Sequence, residues 1–109
     1  MLEARLYLLQ RASAMLLAPL VLGHLGLILY AIEGGLSASE ILGRTKGSLF
    51  WAGFYGLFVL TAALHAPIGL RNVLREWTGW RGRSLDLATG AFAMLLLALG
   101  LRAVWAVTA

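Results

Sequence analysis

Two residues in this sequence set a ligand-type side chain in apolar surroundings: His24 and His65. Each stands in a run free of Asp, Glu, Lys and Arg, Ala12 to Ile32 for the first and Gly47 to Leu70 for the second. A neutral imidazole has one N–H and one free lone pair, so it either hydrogen-bonds a neighbouring helix or binds a metal. Ionisable groups inside a lipid span are rare and usually functional, and imidazole is the usual axial ligand of haem iron. His65 is therefore expected to be a haem axial ligand, and His24 is the candidate ligand of a second haem. The neighbours of His65 agree. Gly69 follows at i+4 on the same helix face and leaves room for a flat macrocycle. Thr61 and Ala62 are small, and Arg71 and Arg75 stand where haem propionates would need cations. Pro67 has no backbone N–H and predicts a kink beside the ligand.

Depth separates the two histidines. His65 precedes Arg71 by six residues, about 9 Å of helix, whereas His24 follows Arg11 by 13, about 20 Å. Axial ligands of one haem lie at similar depths, so these two are not expected to share an iron. His65 then takes its second ligand from another chain.

The elements that must hold these residues follow from composition. The chain has 109 residues, 61% hydrophobic and 13% charged, with no cysteine. A soluble domain is typically about 25% charged, and so small a core could not bury this much apolar surface. The absent cysteines exclude disulfides, a Cys-ligated zinc and an iron–sulfur cluster held by this chain. The expectation is an all-α integral membrane protein, a single domain over residues 1–109 with spans at about 12–33, 48–74 and 85–107. Met1 to Arg11 is too long and mixed for the n-region of a signal peptide, so the first window reads as an uncleaved span. Arg102 falls near the far interface, within reach of water.

Six arginines (Arg5, Arg11, Arg71, Arg75, Arg81 and Arg83) lie on the side of the N-terminus and second loop, against Arg44, Lys46 and Arg102 on the other. That bias predicts a cytoplasmic N-terminus and an outside C-terminus. The net charge of +4 reads as a topology and headgroup signal, not a nucleic-acid surface. In the first loop Gly34-Gly35 stops a helix, and Ser37 to Glu40 has capping-box spacing, predicting a short interfacial helix around Ala38 to Leu42. Ser84 is expected to cap the third span, with Asp86 in its first turn. Three spans rarely make a useful site alone, so they are expected to join a larger helical bundle with a partner anchor subunit.

Two segments resemble the membrane-anchor cytochrome b subunits of succinate dehydrogenase and fumarate reductase. Gln10-Arg11-Ala12-Ser13-Ala14 is similar to the His-Arg-x-Ser-Gly start of that family's first span. The run from His65 to Trp77 resembles its haem segment, a histidine followed by glycine at +4 and an acid–aromatic pair at +11 and +12. Gln10 stands for the family histidine, Tyr7 for a serine, and Trp77 for a tyrosine. The resemblance implies a non-catalytic anchor in the bacterial cytoplasmic membrane, holding haem b and quinone. Its partners would be the flavoprotein and iron–sulfur subunits and a second membrane-anchor subunit. It carries haem ligation onto His65 and quinone contact onto Arg11, Ser13, Glu76 and Trp77.

Each of those four also has an ordinary role. Arg11 suits an interfacial cation, and Ser13 a bond back to its own helix. Glu76 suits a surface charge beside Arg75 or Arg81, and Trp77 an interfacial belt. Rival functions are a cytochrome b-type anchor for another respiratory dehydrogenase and a haem-free structural anchor. A small multidrug-type transporter would need a carboxylate embedded in a clean span, and neither clean span has one.

Overall fold

The structure is a computed structural model that describes residues 2–109. It contains four helices: α1 (Leu2–Gly34), α2 (Ala38–Thr45), α3 (Leu49–Thr78) and α4 (Arg83–Thr108). The helices α1, α3 and α4 are long and apolar enough to cross a membrane, and the described residues include no strand. The fold measures 47 × 23 × 22 Å, long enough to cross a hydrocarbon core of about 30 Å.

The expected spans and short helix form, with two differences at their ends. Helix α1 begins at Leu2, well ahead of the first apolar window. Its opening residues, Leu2-Glu3-Ala4-Arg5-Leu6, are good helix formers, and their charges mark a polarity boundary without breaking the helix. Ser84 does not cap α4. Gly82 takes the N-cap with φ 93°, and Ser84 lies inside the helix, accepting a bond from the Trp80 indole N–H at 2.8 Å. Pro67 lies inside α3.

The other boundaries have local causes. Gly35, at φ 116°, ends α1 in a conformation that favours glycine. The Ser37 hydroxyl caps α2 by accepting from the Glu40 N–H at 3.2 Å.

Helix α3 is the one on which both α1 and α4 pack. In α1 the residues shielded from the surface are Leu6, Gln10, Ser13, Leu17, Leu20, His24, Leu27 and Ala31, alternating three and four apart. That spacing is a coiled-coil-like seam, and Glu3 begins it. The α3–α4 contact is tight at Gly100, where an added Cβ would lie 2.5 Å from Val59 Cγ1. Helix α2 folds under the end of α4: the Thr45 hydroxyl donates to the Val107 carbonyl, and the Gly47 N–H to that of Thr108.

The buried apolar residues include Leu20, Ala63, Pro67, Ile68 and Leu85. Most of the remaining apolar surface faces outward, where only lipid or other membrane helices satisfy it.

Candidate functional site

The α1–α3 seam brings Ser13 to His65. Ser13 is buried, and its Oγ lies 3.0 Å from the carbonyl oxygen of Gln10 and 3.1 Å from His65 Nδ1. Both expectations for Ser13 concerned its hydrogen bonds; the back-bond to its own helix is present, and the contact with the histidine is new. One turn along α3, the missing side chain of Gly69 makes a notch. A Cβ there would lie 3.2 Å from Nε2 of Gln10. The space expected beside the imidazole therefore holds a flexible amide, and the Oε1 of that amide is buried with no partner.

Nearer the chain's N-terminus the seam closes in an ionic cluster. Arg71, with its side chain 10% exposed, donates to Asp86 through Nε at 2.8 Å and to Glu3 through Nη2 at 2.9 Å. Arg75 donates to Glu3 at 2.7 Å. Three helices thus meet on one guanidinium. The hydrogen bond from Arg71, with the charges of Arg71 and Arg75, holds the Glu3 carboxyl below its ordinary value, against a smaller opposing effect of desolvation. Glu3 lies outside the apolar window, at the polar start of α1. Arg71 and Arg75 were expected to meet propionates; here both carry carboxylates of this chain, and Arg71 has the fewer donors to spare.

The other expected site residues lie apart from this seam. Arg11 is exposed and contacts Tyr7, its guanidinium carbon 5.7 Å from the ring centroid. Glu76 and Trp77 are exposed at the end of α3, about 17 Å of helix beyond His65. Arg11, Ser13, Glu76 and Trp77 do not close a pocket within this chain.

His24 occupies the same seam eleven residues after Ser13, about 16 Å farther along α1. Its ring meets Phe58 and Tyr55 edge-on, with centroids 5.3 and 6.1 Å away. Its Nδ1 is buried without a partner. It borders an apolar cavity of about 310 Å³ reaching to Val107. The two histidines lie about two to three helical turns apart along the seam.

A family model described as succinate dehydrogenase/fumarate reductase transmembrane subunit matches residues 2–107. The chain belongs to that family. No curated protein and no solved structure matches it significantly. A succinate dehydrogenase/fumarate reductase transmembrane subunit works within a complex, and the outward apolar surface of these spans is what such membership requires. The match takes in both the Ser13 segment and the His65 segment, so the seam lies within the family's own architecture.

Glu3 and the amide of Gln10 were missed as contributors to the seam. A signal for both was present, because they fall on the same three–four spacing as Ser13 and His24.

Proposed function

We propose that this chain is the haem b- and quinone-binding anchor of a succinate:quinone oxidoreductase. It would pass electrons between an iron–sulfur subunit and quinone. The observation that carries this is His65 in the middle of a membrane seam, fastened at Nδ1 by a second span and beside a glycine notch. His65 is the proposed axial ligand, with the opposite ligand from a second anchor subunit, because this chain has no other histidine at that depth. The residues fit such a group: an imidazole with one nitrogen uncommitted, and a notch filled by an amide whose oxygen lacks a partner. Bound there, a haem would supply one-electron chemistry. Arg75, with one carboxylate partner, and Arg71, with two, would meet its propionates.

One haem per chain is proposed, since His24 has no partner to orient its ring. Quinone contact is assigned to Arg11, whose cation would stabilise negative charge growing on a quinone oxygen, and to Glu76 and Trp77 at the same end of the fold. The second anchor or the iron–sulfur subunit would complete that pocket. The arginine excess at this end supports a cytoplasmic location for it. Leu2, Tyr7 and Leu8 are exposed there on the helix ahead of the first apolar window, a surface suited to the flavoprotein–iron–sulfur pair.

The test is a reduced-minus-oxidised spectrum of the purified complex, with haem counted per chain. Wild type should give a b-type signal and about one haem, and His65→Ala should give none. A wild-type complex without haem would overturn the reading.

A further inference from the structure

We infer that Ser13 is a positioning residue that fixes the tautomer of His65, keeping the proton on Nδ1 and presenting Nε2 as the iron-binding atom. The assignment of iron to Nε2 rests on the haem reading above; the tautomer does not.

A serine hydroxyl has one proton to give and two lone pairs to receive. Ser13 Oγ makes two short contacts, 3.0 Å to the Gln10 carbonyl oxygen and 3.1 Å to His65 Nδ1. The carbonyl only accepts, so the serine proton belongs on that contact. The second contact is then attractive only if His65 carries its proton on Nδ1 and donates to Oγ. The reverse assignment, serine donating to Nδ1, would leave two oxygens facing each other at 3.0 Å with no proton between them. Ser13 is 6% exposed, so water is poorly placed to relieve that repulsion.

The imidazole N–H therefore continues into the backbone of α1 through a single hydroxyl. Serine's own donation to a carbonyl makes its oxygen a better acceptor. An N–H so held fixes the ring plane and raises the basicity of the opposite nitrogen, as partners of metal-ligating histidines do. His65 Nε2 makes no hydrogen bond among the described residues. At His24 no such device exists, since Nδ1 is buried and unpartnered.

The experiment has two arms. In the first, the full-length chain labelled with 15N-histidine is examined in haem-free lipid bilayers by solid-state NMR. The His65 signal is assigned by its loss in His65→Gln. Wild type and Ser13→Thr should show one tautomer, protonated at Nδ1, and Ser13→Ala a mixture or the Nε2–H form. An unchanged Nδ1–H population in Ser13→Ala overturns the inference, whatever the chain binds.

In the second arm the intact complex is used. Ser13→Ala should lose about tenfold or more in haem affinity, the effect usual for removing such a partner, while Ser13→Thr stays within about threefold of wild type. The haem midpoint potential should rise in Ser13→Ala, because a less basic imidazole stabilises ferric iron less. Ser13→Cys, close in size but a weaker acceptor, should fall between and serves if Ser13→Ala fails to assemble. Haem retained in His65→Ala would overturn the haem reading and leave the tautomer result standing. Haem lost in His65→Ala but bound normally in Ser13→Ala would overturn the positioning role alone.

Discussion

His65 and His24 are the same side chain on the same seam, yet their surroundings differ. At His65 one ring nitrogen meets a hydroxyl from another span, and polar side chains fill the next turns. At His24 the ring is wedged edge-on between Phe58 and Tyr55, with Nδ1 unpaired. A ligand has to be held by the nitrogen it does not use, and a packed ring does not. The difference teaches that depth in a span nominates a histidine, and the atom opposite Nδ1 decides what it can do.

The comparison breaks most directly at the histidines themselves. His65→Ala should abolish the b-type spectrum of the complex, whereas His24→Phe should keep it at wild-type amplitude. A lost signal in His24→Phe with the complex intact would show that both rings serve iron.

The glycines of the two regions sharpen the contrast. Gly100→Ala presses a methyl into the branched side chain of Val59 and should cost about 1–3 kcal/mol of α3–α4 stability, read as a lower thermal midpoint in detergent. Gly69→Ala meets the movable end of Gln10 at 3.2 Å, so stability should change little while haem content falls.

Arg71→Ala comes next. It leaves Glu3 and Asp86 without their shared cation, but both carboxylates are about half exposed, so the thermal midpoint of the complex should fall only modestly.

The smallest effect is with pH. Glu3 is held below its ordinary value of 4.5. Its contribution is complete above that value and is lost as pH falls through the lowered one. The thermal midpoint should therefore drop on acidification below pH 4.5, and Glu3→Gln should flatten part of that drop.

Much of this was legible in the sequence. Uncharged windows marked the spans, because lipid tolerates so few charges, and Ser37 with Glu40 marked α2, because capping is local. Gly34-Gly35 marked the end of α1 for the same local reason. What stayed hidden depended on distance along the chain. Ser13 and His65 are 52 residues apart, and Glu3 and Arg71 are 68 apart. The motif placed Ser13 with quinone, and only the packing of α1 on α3 turns its hydroxyl to the imidazole. Helix α1 runs on ahead of its apolar window because Glu and Arg favour helix about as strongly as leucine does, so the uncharged window marks the span and not the helix end. The Ser84 cap failed because Gly82, with its positive φ, starts α4 two residues earlier.

That α1 and α4 both pack on α3 has a consequence for biogenesis. Synthesis proceeds from the N-terminus at about 5–20 residues per second. Helix α1 ends at Gly34 and α3 at Thr78, so α1 waits about 2–9 s at those rates before its whole packing surface exists. Through that interval Glu3 has neither arginine and Ser13 has no imidazole. The polar stripe of α1 therefore becomes a seam only after the third helix in sequence has been made.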